Sequence, residues 1–547
     1  MALRLTNLAT VLLLAAVLAL QWHAASILLG ASIDGDQSKH FTSGVMVFDY
    51  LRSGLGSNPV RFAEGFEVRY PLVAIGQWPP MYYAIQSVYY FLAGPSIRSV
   101  QALSAVMAAC LALFLFLSLR ASAGTRIALI AVAVFLATPL MQSAAWKVMS
   151  DLLTGVFVYL AIVAFSKLLD EPGNWKAAIL FAVWGVAAIL SKGSAWALVP
   201  FVFLAPLLAG RTRFLRSRWF WGMGSVLILA GGSYYFWTKR AGIGYHANLA
   251  HIASPAVGFA HRAEMLGTLL SFSPVLLLVT GLLGLAAALH GRWGRGEDSP
   301  GTTLSLVAAA WVLSQLLFLF ILPLTWENRV LLPSLAPLAV LITRFLVWLR
   351  AGLRLRPVFA ASAAVMVGAI LAAASGVAKV QRLNGYREVA DAMPYPPDGA
   401  LILVATGDDY SEGAIITERL SRGRGHRDVI LRASHDLAEI DADNHETPLI
   451  GTVDEVRSYL LKMPVRFIIL DSPPFDYSYQ TLIESAVTGD PKDFHLLGTF
   501  PISLEPGGKI VEVRIYENPA GRDHHPDTIQ TRLGPYAGRR LLTYRWR

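Results

Sequence analysis

The chain has 547 residues, of which 55% are hydrophobic and 15% charged. A soluble globular protein is less apolar and carries about one quarter charged residues, so this composition excludes a soluble protein and predicts a polytopic α-helical membrane protein. The formal net charge of +9 does not indicate nucleic-acid binding, because the basic residues gather in short loops between apolar runs. The single cysteine, Cys110, excludes an intrachain disulfide.

Apolar runs long enough to span a bilayer recur through the first 378 residues. A spanning helix needs about 20 apolar residues, because the hydrocarbon core is about 30 Å thick and a helix rises about 1.5 Å per residue. About eleven runs qualify, near residues 8–30, 98–119, 127–141, 151–168, 177–190, 195–209, 219–237, 267–289, 303–322, 330–349 and 358–378.

Basic clusters between these runs predict the orientation. If the N-terminus is cytoplasmic, all five clusters fall in cytoplasmic loops, and an odd number of spans places the C-terminus outside. The clusters are Arg120 with Arg126, Lys167 with Lys176, Arg211 to Arg218, Arg292 with Arg295, and Arg350 to Arg356. A cleaved signal peptide is an alternative for the N-terminus, because small residues follow an apolar core there. The apolar run continues through Leu29, which favours a retained first span.

Two segments after the first span are predicted to be outer juxtamembrane helices. Residues 80–94 are too short to cross the membrane and are rich in tyrosine, a residue typical of membrane interfaces. Residues 36–53 place Phe41, Val45 and Phe48 on one helical face. We expect both helices to lie on the outer surface and to flank the opening of a cavity.

The composition changes near Lys379. Most of the 37 acidic residues lie beyond it, and short β-like runs alternate with polar helical stretches. The predicted strands are 401–404, 429–431 and 467–470, and the predicted helices begin near 411 and 452. This alternation is typical of an α/β fold. We therefore predict a transmembrane domain at 1–378 and a soluble α/β domain at 379–547 on the outer side of the membrane.

Acidic residues are scarce in the membrane half, so those on its outer side are informative. Asp34 and Asp36 directly follow the first apolar run. A carboxylate at the end of a span can be reached by substrate and still lie close to low-dielectric surroundings, which suits a general base. Alternatively, both aspartates begin the amphipathic helix and satisfy its free backbone N–H groups.

Four motifs resemble those of one enzyme superfamily in order and spacing. Residues 36–40 (Asp-Gln-Ser-Lys-His) are similar to its Asp-Glu-x-x-Tyr element, and residues 77–83 (Gln-Trp-Pro-Pro-Met-Tyr-Tyr) to its Lys-Pro-Pro-Leu-Tyr-Tyr helix. Residues 191–193 (Ser-Lys-Gly) resemble Thr-Lys-Gly-Pro, and residues 329–333 (Arg-Val-Leu-Leu-Pro) resemble Arg-Tyr-Leu-Leu-Pro. The superfamily is that of polyprenyl-phosphate-sugar-dependent membrane glycosyltransferases with the GT-C fold, which includes protein mannosyltransferases and the lipid A aminoarabinose transferase. The chain differs at Gln37, where an acid is usual, and at Trp78, where a lysine is common.

The resemblance implies a glycosyltransferase whose active site lies on the outer face of the membrane. The donor would be a sugar on a polyprenyl phosphate, and the acceptor a glycan, a lipid or a protein. Asp36, or Asp34 two residues earlier, would take the proton of the acceptor hydroxyl. Direct displacement would then invert the anomeric carbon.

Outer-side cations and polar groups near the four motifs complete the predicted site. The candidates for holding the leaving phosphate are Arg329, Lys192, Arg69 and Lys147. The candidates for contacting substrate are Asp151, His40, Trp78, Tyr82, Tyr83 and Glu327. Three alternatives are structural: Arg329 and Lys192 extend toward lipid head groups, Asp151 caps a helix, and Glu327 pairs with Arg329.

The sequence motifs contain no full set of ligands for a metal or another cofactor. His40 shares a helical face with Asp36, but two ligands are too few to define a metal site, so a divalent metal stays open. A multi-span transporter or lipid flippase is the main alternative function, although the internal repeats typical of transporters are not found in the sequence. A membrane scaffold is the third alternative. The frequent use of Ala, Gly and Arg favours a bacterial inner membrane as the location.

Overall fold

The computed structural model describes most of the chain. The described residues are 32–33, 35–74, 76–241, 262–267, 272–294, 300–321, 328–353, 382–407, 409–422, 428–440, 446–474, 477–505, 509–522, 526–533 and 541–545. The predicted spans near 8–30 and 358–378 lie outside these residues.

Helices make up almost all of the described chain up to residue 353. The described α-helices, numbered in chain order, are α1 (Gly35–Asp49), α2 (Pro59–Arg69), α3 (Met81–Ala93), α4 (Ile97–Ala123), α5 (Thr125–Leu136), α6 (Pro139–Ala144), α7 (Ser150–Asp170), α8 (Trp175–Ile189), α9 (Leu198–Leu208), α10 (Arg218–Val226), α11 (Gly232–Arg240), α12 (Phe272–Leu289), α13 (Pro300–Ile321), α14 (Leu332–Leu353), α15 (Tyr386–Ala392), α16 (Asp409–Arg422), α17 (Ala433–Asp436), α18 (Val453–Lys462) and α19 (Ser478–Thr488). Short turns of 3-10 or π helix join several of them, at Tyr50–Gly54, Gly193–Ala197, Thr212–Arg216, Leu227–Gly231, His290–Gly294 and Asn328–Leu331.

Within the described residues, four helical stretches are long and apolar enough to cross a membrane. They are Ile97–Ala123, Ser150–Asp170, Gly301–Ile321 and Asn328–Ala351, and they coincide with four of the predicted spans. Further apolar helices are shorter, at Thr125–Leu136, Trp175–Ile189 and Gly193–Leu208. The chain is therefore a multi-pass membrane protein, and the total of eleven spans stays a prediction.

Close packing of the spanning helices depends on small residues. α7 is buried along most of its length and packs against α4, α8, α13 and α14. On α12, Gly284 lies so close to α14 that a Cβ atom added there would come within 2.0 Å of the Leu341 carbonyl oxygen. Contacts of this kind, in which a missing side chain lets two backbones approach, are common between helices in membranes.

Both predicted juxtamembrane helices form, but α1 does not lie on an open surface. Its apolar residues Phe41, Val45 and Phe48 are buried. They share one hydrophobic cluster with Tyr90 of α3 and Ile415 of α16, a helix of the C-terminal region. The expected surface helix is buried because the C-terminal region covers the side that α3 leaves open.

α3 has a polar inner face and an apolar outer face. Tyr83, Gln86 and Tyr90 are buried, whereas Phe91 and Leu92 are exposed. A helix that lies on protein and faces water shows the reverse arrangement. α3 therefore presents its apolar face to lipid, and its polar face lines the interior of the helical region.

The C-terminal region contains a mixed six-stranded sheet. The described strands are β1 (Arg382–Asn384), β2 (Leu401–Ala405), β3 (Val429–Arg432), β4 (Ala438–Ile440), β5 (Glu446–Pro448), β6 (Phe467–Ser472), β7 (His495–Glu505), β8 (Lys509–Glu517), β9 (Thr528–Arg532) and β10 (Leu541–Arg545). The large sheet has the order β1-β7-β8-β6-β2-β3. β2 is parallel to β3 and β6, and the remaining pairs are antiparallel.

The three parallel strands are the ones that the sequence predicts. β2, β3 and β6 are buried at every position, as expected for strands that are covered on both faces and read as continuous apolar runs. Helices α16 and α18 also lie where helices were expected. The domain boundary near residue 378 stays a prediction, because residues 354–381 lie outside the described part of the chain.

The C-terminal region contacts the start of α1 directly. The Ser32 N–H donates to the Leu383 carbonyl of β1 at 2.9 Å, and the Ser32 hydroxyl donates to Glu418 of α16 at 2.8 Å. Gly413 of α16 leaves so little room that a Cβ atom there would lie 3.0 Å from the Ser38 hydroxyl oxygen. Helix α16 thus fixes the first turn of α1, which carries Asp36.

A buried carboxyl group lies at the same contact. Glu67 of α2 accepts a hydrogen bond from the Val73 N–H at 2.5 Å. Burial raises the pKa of Glu67 to about 8, although the Val73 N–H and the charges of Arg432 and Lys39 oppose the shift. The carboxyl is therefore neutral at pH 7 in the folded protein, which avoids a buried negative charge.

Candidate active site

The sequence motifs meet at one end of the helical region, where Asp36 and Arg329 form an ion pair. Asp36 lies in the first turn of α1, and Arg329 lies in the 3-10 turn before α14. The Nη2 atom of Arg329 donates to Oδ2 of Asp36 at 2.6 Å. The Nη1 atom lies 3.2 Å from the sulfur of Met149, just before α7. Arg329 therefore joins the first turn of α1 to the start of a spanning helix.

The electrostatic surroundings keep Asp36 ionised. Burial would raise the pKa of this carboxyl, but the charges of Lys39 and Arg329 and the hydrogen bond from Arg329 outweigh burial and hold the pKa below its usual value. A group with such a charge and partial exposure can accept a proton or hold a cation.

A second ion pair lies on the other side of the site. Lys192, in the loop before Gly193–Ala197, donates to Oδ1 of Asp151 at 2.5 Å. Asp151 lies in the first turn of α7 and is almost fully buried. The sequence leaves open that Asp151 caps its helix and that Lys192 extends to lipid head groups; the structure instead pairs the two with each other, and Met149 is the residue that precedes the helix.

His40 lies between the two ion pairs and is surrounded by aromatic side chains. Its Nδ1 atom shares a hydrogen bond with the Tyr83 hydroxyl at 3.1 Å. Its ring lies 4.3 Å from the Trp78 ring and 5.3 Å from the Tyr82 ring, centroid to centroid. Burial lowers the pKa of His40 to about 3, so the imidazole is neutral at pH 7. A neutral histidine of this kind can accept or donate one hydrogen bond without adding charge.

Three further residues hold these elements together, and no sequence motif indicates two of them, Tyr234 and Met149. The Tyr234 hydroxyl donates to the Trp78 carbonyl at 2.7 Å, and Met149 contacts Arg329. Gln37 accepts from the Val148 N–H at 3.1 Å. At the position where the superfamily has an acid, this chain thus has a side chain that anchors the loop before α7.

Of the remaining predicted residues, the structure describes Arg69 and Lys147 only. Arg69 ends α2, with its guanidinium 5.3 Å from the centre of the Tyr70 ring, and Tyr70 belongs to the cluster that faces the C-terminal sheet. The role of Arg69 as a phosphate ligand stays a prediction. Lys147 is exposed in the loop before α7, two residues from Met149 at the edge of the site. Asp34 and Glu327 lie outside the described residues.

The described side chains do not form a cluster of metal ligands. In the ranges given above, no three His, Cys, Asp or Glu residues come together in a way that could hold a metal ion. His40 and Asp36 share a helix, but their partners are Tyr83 and Arg329.

Comparison with known proteins identifies the fold. Residues 77–237 match the family model of dolichyl-phosphate-mannose-protein mannosyltransferase. Two crystal structures of ArnT from Cupriavidus metallidurans, one bound to undecaprenyl phosphate and one in the apo state, align with TM-scores of 0.54 and 0.52. Each alignment covers 92% of this chain and 97% of ArnT, at 14% and 13% identity. The chain has the GT-C fold.

The GT-C fold confirms the resemblance that the four motifs indicate. An oligosaccharyltransferase from Archaeoglobus fulgidus, in complex with Zn and sulfate, also aligns over 89% of this chain and 70% of its own, at 14% identity, but its TM-score of 0.49 is too low to bear on the fold. No curated protein matches the sequence. At these identities the likeness to ArnT concerns the fold alone, so the activity must be argued from the site.

Proposed function

We propose that the protein is a glycosyltransferase that moves a sugar from a polyprenyl-phosphate donor to an acceptor hydroxyl on the outer face of a bacterial inner membrane. The Asp36–Arg329 ion pair carries this proposal, because it offers a carboxylate and a guanidinium side by side at the end of spanning helices. The acceptor is a glycan, a lipid or a protein. The region from residue 379 to 547 is an outer domain that covers the site from the side of α16.

The proposed reaction is a direct displacement. The acceptor oxygen attacks the anomeric carbon while Asp36 takes the hydroxyl proton, and the bond from that carbon to the phosphate oxygen breaks. The electron pair of that bond stays on the polyprenyl phosphate, which gains one negative charge. A single displacement inverts the anomeric carbon, and a positioned general base contributes about 10²- to 10⁴-fold in rate.

Arg329 has two tasks in this scheme. Its guanidinium matches a phosphate as well as a carboxylate, and it stabilises the charge that develops on the leaving group. When the donor phosphate binds Arg329, it competes with Asp36 for the same guanidinium. Asp36 then loses a neighbouring positive charge, so its pKa rises and the carboxylate becomes a stronger base at the moment when substrate is present.

The second ion pair and the aromatic side chains bind substrate. Lys192 adds positive charge to the site, and Asp151 accepts hydrogen bonds from it. Trp78, Tyr82 and Tyr83 border the pocket around His40. Lys147, at the rim, is placed to meet the charged head of the donor as it enters from the membrane.

The test measures sugar transfer in membrane vesicles from cells that produce the full chain. Radiolabelled polyprenyl-phosphate sugars are supplied to wild type, Asp36→Asn, Asp34→Asn and the control Asp49→Asn, at the opposite end of α1. We expect transfer to fall by about a hundredfold or more in Asp36→Asn and to persist in Asp49→Asn at equal protein levels. Loss only in Asp34→Asn would move the base by two residues. No transfer by wild type from any donor would favour a transporter.

A further inference from the structure

The first turn of α1, which carries Asp36, is held from two sides. On the side of the helical region, Gln37 accepts a hydrogen bond from the Val148 N–H at 3.1 Å, and Arg329 donates to Asp36 at 2.6 Å. On the other side, the contacts come from the C-terminal region, which reaches this turn from far along the chain. Asp36 therefore lies between two sets of anchors.

The main anchor from the C-terminal region is at Ser32. Its N–H donates to the Leu383 carbonyl at 2.9 Å, so Ser32 adds one bridge to the edge of the large sheet. Its buried hydroxyl donates to Oε1 of Glu418 at 2.8 Å, across 386 positions of the chain. Arg422 contacts the other carboxylate oxygen of Glu418 at 3.3 Å. The acceptor is thus held in one orientation, and a hydrogen bond to a charged carboxylate is among the stronger ones.

Close packing continues from this anchor to the turn itself. Ile33 is buried in the same cluster as Ile415 of α16, and its carbonyl accepts from the Ser38 hydroxyl at 2.9 Å. A Cβ atom added to Gly413 of α16 would lie 3.0 Å from the Ser38 hydroxyl oxygen and 3.4 Å from the backbone nitrogen of Gly35. Because close-packed interiors transmit strain, a displacement of the segment before α1 moves its first turn.

We infer that Ser32 and Glu418 are positioning residues that set the place of the Asp36 carboxylate against Arg329, so that the C-terminal region takes part in catalysis without touching substrate. This inference rests on the proposed function and adds how its base is placed. A general base must come within about 2.6–3.2 Å of the proton that it takes. Misplacement by about 1 Å can lower a rate about a hundredfold.

The experiment measures sugar transfer by the full chain in membrane vesicles. Ser32→Ala removes the hydroxyl, and Ser32→Cys is the milder variant, because a thiol is a weaker donor. The matched control is Ser434→Ala. Ser434 is a buried serine of the C-terminal region whose hydroxyl also donates to a glutamate, Glu412, at 3.0 Å, but it lies in α17, which packs against β2, β3 and β9. The kcat/KM is measured against pH for each variant, alone and combined with Arg329→Gln.

The pH dependence separates positioning from a general loss of structure. The charged and titratable groups that face Asp36 are Lys39 and His40 of α1 and Arg329. If Ser32→Ala lets the turn move away from Arg329, Asp36 loses part of the positive charge that favours its ionised form, and the acid limb moves to higher pH. A variant that only lowers the amount of folded protein would leave the limb in place.

We expect Ser32→Ala to lower kcat/KM about fivefold or more and to move the acid limb to higher pH, with Ser32→Cys between it and wild type. Ser434→Ala should keep the profile of wild type. Combined with Arg329→Gln, Ser32→Ala should move the limb no further, because the contact that it loosens is already gone.

A second readout needs no activity. The free energy of unfolding in SDS or by heat is measured for Ser32→Ala, Arg329→Gln and the double variant. Changes at independent sites add, whereas the double variant should lose less stability than the sum if Ser32 holds Asp36 against Arg329. Ser434→Ala and Arg329→Gln should add.

The inference is overturned if Ser32→Ala keeps the kcat/KM and the acid limb of wild type, or if Ser434→Ala changes both to the same extent. It is also overturned if the Ser32 and Arg329 variants add in stability. Absence of transfer by wild type from every donor would contradict the proposed function, and the stability measurement would still decide whether Ser32 positions Asp36.

Discussion

Replacing Arg329 with glutamine should move the acid limb of the pH–rate profile to higher pH. Burial raises the pKa of Asp36, and the charges of Lys39 and Arg329 lower it to below its usual value. Arg329 contributes both its charge and a hydrogen bond of 2.6 Å. Without Arg329, the effect of burial is opposed by less positive charge, so the carboxyl should take up its proton at a higher pH.

The size of the shift follows from the exposure of the pair. An arginine next to an aspartate lowers the carboxyl pKa by about 1–3 units. The side chains of Arg329 and Asp36 are 21% and 28% exposed, so water screens part of the interaction, and we expect the acid limb to move to higher pH by less than it would for a fully buried pair. Arg329→Lys keeps a point charge and should shift the limb less than Arg329→Gln.

The assay is kcat/KM for sugar transfer between pH 3.5 and 8, because this ratio reports the ionisation of the free enzyme. A second readout needs no activity. A carboxyl with a depressed pKa adds stability that is present above its unfolded pKa and is lost as the pH falls through the folded pKa. Wild type should therefore lose more stability than Arg329→Gln between pH 5 and pH 3. An acid limb at the same pH in all three proteins would refute the assignment of Asp36 as the group that Arg329 controls.

Three further predictions concern stability, each measured by unfolding in SDS or by heat. Lys192→Met leaves the buried Asp151 without its cation and should lower the free energy of unfolding by about 3–5 kcal/mol, and adding Asp151→Leu should restore most of the loss. Glu67 has a pKa raised by burial from 4.5 to about 8, so the folded state holds this proton longer than the unfolded state, and stability should fall as the pH rises between these values. Glu67→Gln should remove that slope, and an unchanged slope would show that another group causes it. Gly284→Ala forces a Cβ atom against the Leu341 carbonyl and should cost about 1–3 kcal/mol, whereas Gly222→Ala, where a Cβ atom meets nothing within 4 Å, should cost nothing.

The sequence could predict that the site residues lie at the same end of the helical region, because this depends only on the length and number of the spans between them. Apolar runs of spanning length put the residues that follow every second span at the same end. Asp36 and Arg329 therefore meet although they are 293 positions apart. Asp151 and Lys192 meet for the same reason.

The pairing of these residues could not be predicted, because it depends on how the helices approach each other. The sequence suggests Glu327 as a partner of Arg329, since the two are near in the chain, but Glu327 lies outside the described residues. The ion pair that the structure describes joins Arg329 to Asp36, which is far from it in the chain. The sequence also suggests Arg69 as a phosphate ligand, which stays a prediction; its guanidinium lies against the Tyr70 ring. A local sequence pattern carries no information about which residues come into contact when they are far apart in the chain.

The C-terminal sheet could also be predicted only in part. The buried parallel strands are readable as apolar runs, whereas the hairpin of β7 and β8 is not. β7 contains Gly498 and Pro501, residues that are uncommon inside strands, and β8 alternates charged with apolar residues. The burial of α1 also escapes prediction, because its cover, α16, lies nearly 400 residues further along the chain.

The most direct measurement of the central claim follows both products of the reaction in proteoliposomes that contain the purified full chain. A labelled farnesyl-phosphate sugar is supplied together with acceptor from native membranes, and the released farnesyl phosphate and the transferred sugar are quantified. We predict equal amounts of the two products with wild type and a rate lower by about a hundredfold or more with Asp36→Asn. Equal rates with wild type and Asp36→Asn, or movement of the intact lipid-linked sugar across the membrane without release of farnesyl phosphate, would contradict the account.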